Sequence, residues 1–186
     1  ACSYPRKIDV PYDEADLWSG YPDQINATYG LAKKFALVQE RAYRQEYNFN
    51  SIHLLLANLY GPCDDFSLEY SHVVAALIRK TIDAVEKNRE EIVVWGTGNA
   101  SREFLFVQDA AEAVVLATER YDKEYTINIG TGKEITIKEL AELISEIAGF
   151  NGEITLDKTK PDGQPRRCLN VSKAQDEFGF KSKTDL

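Results

Sequence analysis

The chain has 186 residues, 44% of them hydrophobic, so it is large and apolar enough to bury the core of a globular protein. Its 22 Lys and Arg against 30 Asp and Glu leave a net charge of −8, which excludes a general nucleic-acid binder, because such proteins need a basic surface. Three cysteines without a disulfide pattern favour the cytoplasm, and no apolar run reaches the roughly 20 residues of a membrane-spanning helix, so we expect neither a membrane nor a metal partner.

The first third of the chain predicts a loop, a helix and a strand. Residues 1–28 are rich in Pro, Asp and aromatic residues, as loops are. From residue 29 to about 47, apolar side chains recur at three- and four-residue steps, which is typical of an amphipathic helix. SIHLLLAN (51–58) is a short apolar run that predicts a buried strand, and Gly61-Pro62 ends it.

The rest of the chain alternates between helices and strands. Amphipathic helices are predicted at 71–88, 109–121 and 136–150. Ser71 and Asp109 are suited to cap the first two, and Thr136 with Glu139 forms a capping box for the third. The apolar runs between them predict strands at 91–96, 102–107, 125–130 and 153–157. This alternation predicts an α/β fold with a largely parallel sheet.

A tyrosine and a lysine stand four residues apart at the start of the first helix, in NATYGLAKKF (26–35). This spacing places Tyr29 and Lys33 on one face. A neighbouring ammonium group stabilises a phenolate, so such a tyrosine can transfer a proton near neutral pH. The alternative is an ordinary surface pair, because Y-x-x-x-K is common by chance.

Six motifs in a fixed order change these odds. They are C-S-Y-P (2–5), Y-G-L-A-K-K (29–34), N-L-Y-G-P (58–62), S-H-V (71–73), W-G-T-G-x-x-S-R-E-F (95–104) and K-P-D-G-Q-P-R-R (160–167). Together they resemble the extended short-chain dehydrogenase/reductase family, and within it the GDP-L-fucose synthase group. That group converts GDP-4-keto-6-deoxymannose to GDP-L-fucose by 3,5-epimerisation and then NADPH-dependent reduction of the 4-keto group.

The resemblance implies the C-terminal portion of a Rossmann-type parallel sheet plus a smaller α/β substrate-binding domain. Residues 1–60 would be the remainder of the dinucleotide-binding domain, and 61–186 mainly the nucleotide-sugar domain, with about 102–130 returning to the Rossmann sheet. The family's Gly-rich turn and first strands are absent. Gly96-Thr-Gly98 and Gly130-Thr-Gly132 follow strands but do not complete G-x-G-x-x-G, so we expect turns there and a chain that is one part of a longer protein.

The resemblance also assigns catalytic roles. Tyr29 matches the proton donor for ketone reduction, and Lys33 the lysine that holds the nicotinamide ribose. Cys2 and His72 match the base and acid of the epimerisation, which suits a thiolate and an imidazole acting beside a ketone. Tyr29, Lys33 and His72 are implied to contact NADP(H). His53, inside an apolar run, is interpreted as structural.

A second set of residues is implied to bind the GDP-sugar substrate: Asn58, Lys80, Trp95, Arg102, Arg166 and Arg167. Two phosphates need positive, preferably bidentate, partners, which arginine provides. The alternative for Arg166 and Arg167 is a solvated loop. The resemblance further implies a homodimer that pairs through the helix carrying Tyr29 and Lys33.

Two other interpretations stay open. One is a different nucleotide-sugar member of the family, such as a 4,6-dehydratase or a C4-epimerase. A dehydratase would carry an Asp-Glu pair where this chain has Ala1-Cys2, and a C4-epimerase needs no second acid/base pair such as Cys2 and His72. The other is a truncated domain that binds nucleotide sugar without turnover, which the missing cofactor strands favour.

Overall fold

The computed structural model describes residues 2–67 and 70–186, which form two compact α/β units. The first unit contains the chain up to Leu59, then Glu103–Lys133 and Arg167–Leu186. The second contains Tyr60–Arg102 and Glu134–Arg166. Within the described ranges, no helix is both long and apolar enough to cross a membrane. The same ranges contain no group of His, Cys, Asp and Glu side chains that could hold a metal ion.

The first unit is built on a long helix and a parallel strand pair. Two short 3-10 helices, Glu14–Trp18 and Gln24–Asn26, precede α1 (Ala27–Tyr47). Strand β1 (Leu54–Leu56) pairs in parallel with β6 (Ile127–Ile129), and β2 (Asn58–Tyr60) pairs with β5 (Phe104–Phe106). Helices α3 (Val107–Arg120) and α5 (Ser172–Phe178) complete it.

The core of this unit explains its local sequence. On α3, Ala110, Ala113 and Ala117 are buried at three- and four-residue steps, so small side chains line the face that packs inward. They pack in one cluster with Leu55, Ile127 and other buried apolar residues. The apolar runs of the sequence form strands whose side chains are buried against this face of α3.

The second unit is a smaller version of the same design. Helices α2 (Val73–Glu86) and α4 (Ile137–Ala148) pack against each other, and β3 (Glu91–Trp95) pairs in parallel with β8 (Glu153–Asp157). A short antiparallel pair joins β4 (Ser101–Arg102) to β7 (Ile135–Thr136). Parallel strand pairs in both units confirm the predicted α/β class with parallel sheet.

Helix capping shows where the sequence predictions hold. Thr136 and Glu139 make both hydrogen bonds of the capping box at the start of α4, as predicted. The two other cap predictions are wrong. His72, not Ser71, is the N-cap of α2, and Asp109 lies inside α3, whose N-cap is Phe106. Asp109 instead accepts hydrogen bonds from the main-chain nitrogens of Lys183 and Thr184, far along the chain.

Strand limits also differ from the predictions. The run 51–58 contributes only β1 and the first residue of β2, and 102–107 is divided between β4 and β5, with Val107 already helical. Gly96 and Gly98 have φ of 88° and 77°, values that favour glycine, and they form a turn as expected.

Candidate active site

The first two turns of α1 present Tyr29 and Lys33 together on the surface of the first unit. The Lys33 Nζ atom lies 5.4 Å from the centroid of the Tyr29 ring. Tyr29 is 57% exposed, and Lys33 is exposed as well. Among the residues that the structure describes, neither side chain forms a hydrogen bond. The phenol and the ammonium group are therefore both available to a ligand.

Cys2 lies against the same turn of the helix. A β-carbon added to Gly30 would stand 2.6 Å from the Cys2 main-chain oxygen and 3.3 Å from the Pro22 side chain. Gly30 is buried, and only a residue without a side chain leaves room for this backbone contact. The residue directly after Tyr29 thus brings the main chain of Cys2 against the helix turn that carries Tyr29.

The Cys2 thiol has a cationic neighbour. Arg167 Nη1 donates to Cys2 Sγ at 3.5 Å, and Arg167 is only 8% exposed. Cys2 is half-buried, whereas Cys63 is exposed and Cys168 is buried. Of the three cysteines, Cys2 is the one whose sulfur accepts a hydrogen bond from a guanidinium group among the described contacts.

Glu103 holds the loop that carries Arg167. Its carboxylate is almost fully buried and accepts hydrogen bonds from the main-chain nitrogens of Thr131 at 2.5 Å, Gly132 at 2.8 Å and Leu169 at 2.7 Å. Its own main-chain nitrogen donates to the Arg167 oxygen at 3.1 Å. Burial raises the pKa of Glu103, and the three hydrogen bonds oppose that rise.

Asn58 belongs to the same arrangement. Its Nδ2 atom donates to the Glu103 main-chain oxygen at 2.9 Å, and Asn58 is half-buried at the start of β2. Three residues that sequence analysis assigned separately, Cys2, Asn58 and Arg167, are therefore linked through Glu103 in one unit.

A buried polar cluster anchors the segment that follows Cys2. The Tyr4 hydroxyl donates to Asn128 Oδ1 at 2.7 Å, and Asn128 Nδ2 donates to the main-chain oxygens of Tyr12 and Asn170 at 3.0 and 3.1 Å. The Glu14 carboxylate accepts a hydrogen bond from the main-chain nitrogen of Asn128 at 2.9 Å. Every polar group of this buried asparagine side chain is satisfied, which makes the segment rigid.

In the second unit, His72 is the N-cap residue of α2. Its side chain is exposed and makes no capping hydrogen bond to the helix. The imidazole is therefore not needed to hold the end of the helix, and it is accessible from solvent.

Trp95 ends β3 in an exposed, positively charged setting. The Nζ atoms of Lys80 and Lys160 lie 5.3 and 5.4 Å from its ring. Lys80 also donates to the Val93 oxygen at 3.0 Å, and burial lowers its pKa. An exposed indole flanked by two ammonium groups is suited to a planar, anionic ligand.

Arg102 and Arg166 complete the predicted set in this unit. Arg102 Nη1 donates to the Ser101 oxygen at 2.7 Å, and its Nη2 lies 3.4 Å from the Asp162 oxygen. Arg166 forms a hydrogen-bonded ion pair with Glu134, and the hydrogen bond from its guanidinium lowers the pKa of Glu134. Arg166 and Arg167 are neighbours in sequence, but their side chains engage different partners, Glu134 and Cys2.

Sequence analysis missed the roles of Gly30 and Glu103. Both lie inside motifs that were noted, Y-G-L-A-K-K and S-R-E-F, but their contacts are with residues far along the chain. Neither motif contains a local signal for these contacts.

These features define an α/β protein with a Tyr-x-x-x-Lys helix beside a cysteine. Comparison with known families agrees with that class: the model of the NAD dependent epimerase/dehydratase family matches residues 1–130, and the chain belongs to this family. Over its full length it is 44% identical to a probable GDP-L-fucose synthase 1 from Oryza sativa subsp. japonica, covering 56% of that protein. It is 33% identical to a GDP-L-colitose synthase from Yersinia pseudotuberculosis, covering 61% of it.

A solved structure agrees with the fold. The GDP-L-fucose synthetase from Naegleria fowleri bound to NADP superposes with a TM-score of 0.88 at 28% identity, over 98% of this chain and 59% of that one. The chain thus spans a little over half the length of the relatives that it matches.

Proposed function

We propose that this chain is part of a GDP-L-fucose synthase-like enzyme, which epimerises GDP-4-keto-6-deoxymannose at C3 and C5 and then reduces the 4-keto group. The observation that carries the proposal is the contact between the Cys2 main-chain oxygen and the helix turn at Gly30, because it supports a site that combines a thiol with the Tyr29/Lys33 pair. Identities with GDP-L-fucose synthases over the whole chain support it.

Cys2 is the proposed base of the epimerisation. Its thiolate takes the proton from a carbon next to the ketone, and the C–H electron pair moves into the enolate. Sγ is then a neutral thiol. His72 is the proposed acid, which returns a proton to the opposite face of that carbon. Its exposed imidazole, free of any capping role, is consistent with this task.

Tyr29 is the proposed proton donor to the C4 oxygen during reduction. The Lys33 ammonium, 5.4 Å from the ring, stabilises the phenolate that remains. The exposed Tyr29/Lys33 face fits the ribose of NADPH. Among the described residues, neither the Tyr29 hydroxyl nor the Lys33 ammonium group donates a hydrogen bond, so both can donate to the ribose. NADPH, when bound, supplies the hydride. His72 is included in the cofactor-binding set on the family resemblance alone.

The GDP group is proposed to be bound by Asn58, Lys80, Trp95, Arg102 and Arg166. The resemblance adds Arg167 to this set, and the same side chain also contacts the Cys2 thiol. The two lysines beside the Trp95 ring supply positive charge in a protein of net charge −8, which supports an anionic ligand on this surface. We further propose that 1–60 with about 102–130 serve cofactor binding and that most of 61–186 serves the substrate.

We also propose a cytoplasmic homodimer that pairs through α1. Beyond its buried stripe, this helix exposes Leu31, Phe35, Val38 and Tyr43, an apolar surface of the kind that monomers rarely leave uncovered.

A direct assay tests the proposed function. The full-length protein is incubated with GDP-4-keto-6-deoxymannose and NADPH, and the product is identified by NMR. Formation of GDP-L-fucose supports the proposal. A product that keeps the original configuration at C3 and C5, or the absence of any turnover, would instead favour a simpler family member or a non-catalytic binding domain.

A further inference from the structure

Arg167 is held in a way that its neighbour Arg166 is not. Arg166 is exposed and paired with Glu134 in the second unit. Arg167 is buried in the first unit and donates to Cys2 Sγ at 3.5 Å. The two adjacent arginines therefore have different partners, Glu134 and the Cys2 thiol. This division goes against a single, shared role in binding phosphate.

Glu103 holds the main chain that carries Arg167, at Arg167 itself and at Leu169. The Glu103 nitrogen donates to the Arg167 oxygen, and the Glu103 carboxylate accepts from the Leu169 nitrogen two residues later. The same carboxylate accepts from the nitrogens of Thr131 and Gly132. A β-carbon at Gly130 would stand 2.1 Å from Glu103 Oε1, so the turn is shaped around this group.

We propose that Arg167 is a further catalytic residue, whose guanidinium stabilises the Cys2 thiolate, and that Glu103 is the positioning residue which holds it on the sulfur. The inference rests on the proposed function, in which Cys2 is the base. As Sγ takes the proton from carbon, its negative charge passes to the enolate, and the thiol is left neutral. A guanidinium held at the sulfur donates a charge-assisted hydrogen bond to the thiolate that removes this proton.

Alkylation of Cys2 tests the contact without any turnover. The rate of reaction with iodoacetamide is measured at fixed neutral pH, and the modified site is identified by mass spectrometry. Loss of the cation removes thiolate but leaves a more nucleophilic sulfur, so Arg167→Gln should slow alkylation of Cys2 by about threefold. Arg167→Lys, which keeps the charge, should retain most of the rate. Arg89→Gln, at an exposed arginine outside the proposed site, is the control and should leave the rate unchanged.

Two results would overturn the assignment. If Arg167 only covers the sulfur, Arg167→Gln and Arg167→Lys should both speed alkylation of Cys2. If Arg167→Gln leaves the rate of Cys2 alkylation unchanged, the guanidinium does not act on the thiol. Exposed Cys63 serves as an internal reference in every variant, because it reports any change in probe reactivity that is unrelated to Arg167.

The role of Glu103 requires a double-mutant cycle. Glu103→Gln keeps the shape of the side chain but places an NH2 group against main-chain donors, so the loop is released. If Glu103 acts through Arg167, the Glu103→Gln and Arg167→Gln effects on the Cys2 rate will not add in the double variant. Additive effects would show that Glu103 is merely structural. Should Glu103→Gln not fold, the Arg167 variants still decide whether the guanidinium acts on the sulfur.

Kinetics separate this role from substrate binding. If Arg167 acts on Cys2, Arg167→Gln should slow solvent-deuterium entry beside the ketone about tenfold, a change of about 1.4 kcal/mol, while KM changes little. An increase in KM alone, equal for exchange and reduction, would assign Arg167 to the nucleotide sugar instead. If the wild-type protein shows no exchange at all, the proposed function fails, and the alkylation rates still decide the Arg167 contact.

Discussion

The main-chain oxygen of Cys2 lies only 2.6 Å from the position that a β-carbon on Gly30 would occupy. Gly30→Ala should therefore push the Cys2 segment away from the Tyr29/Lys33 turn, although alanine is itself the better helix former by up to about 1 kcal/mol. We expect solvent-deuterium entry into the sugar to fall at least about tenfold, with little loss of helix content by circular dichroism.

Gly20→Ala is the control for this substitution. An added β-carbon there meets the Pro5 side chain at 3.3 Å rather than the backbone, so the effect on exchange should be much smaller. Equal effects of the two substitutions would show that the Gly30 contact has no special part in placing Cys2.

His72 should be replaceable without loss of the fold. It is an exposed N-cap residue without a capping hydrogen bond, and asparagine is among the best N-cap residues, so His72→Asn should keep or slightly raise the free energy of unfolding. If His72 is the acid of the epimerisation, as proposed, its loss should leave epimerisation incomplete. Product configuration by NMR gives the result, and normal fucose-configured product at the normal rate would make His72 a structural residue.

Burial of the Tyr4 phenol should make stability fall at high pH. Burial raises the pKa of Tyr4 well above its usual 10.0, and burial likewise raises the pKa of Tyr121 to about 12. The folded state thus keeps protons that the unfolded state loses, so this contribution is complete below pH 10 and declines as pH rises further. Urea unfolding at neutral pH and at about pH 11 measures the decline.

Tyr4→Phe isolates one part of that effect. At neutral pH it should cost about 1–3 kcal/mol, because Asn128 Oδ1 is left buried without its donor. Between pH 10 and 12 its stability should fall less steeply than that of the wild type, with the Tyr121 part remaining. Parallel pH curves for wild type and variant would contradict the burial of a neutral Tyr4 phenol.

The α1 surface predicts association. Phe35 is 68% exposed in the isolated chain, and Phe35→Glu would put a charge into any interface formed there. We expect the wild type to sediment as a dimer at micromolar concentration and Phe35→Glu as a monomer. Ile147→Glu, on α4 in the second unit, changes an equally exposed side chain and should remain dimeric. A monomeric wild type would refute the interface.

Features that depend on neighbouring residues in sequence could be predicted. The capping box of Thr136 and Glu139 and the adjacency of Tyr29 and Lys33 follow from three- and four-residue spacings that a helix brings together. The fold class could be predicted as well, because the alternation of helices and strands is visible in local apolar patterns. The chemical roles of Tyr29, Lys33, Cys2 and His72 stay predictions.

Features that depend on distant residues could not. Aspartate is a common N-cap residue, but the Asp109 carboxylate accepts hydrogen bonds from the main-chain nitrogens of Lys183 and Thr184. Glu103 looks like an ordinary acid until its three main-chain donors, from residues 131, 132 and 169, are known. Whether a polar group is free to cap, bind or react is set by tertiary hydrogen bonds, and no local pattern contains them.

The proposed division between a thiol that epimerises and a phenol that reduces is tested most directly by Tyr29→Phe. The full-length variant is given GDP-4-keto-6-deoxymannose and NADPH in deuterated water, and NMR follows both ketone reduction and deuterium at C3 and C5. We predict that reduction falls by several powers of ten, at about 1.4 kcal/mol per decade, while deuterium still enters both positions at close to the wild-type rate. Loss of deuterium entry together with reduction would contradict the account, because Tyr29 would then serve both steps.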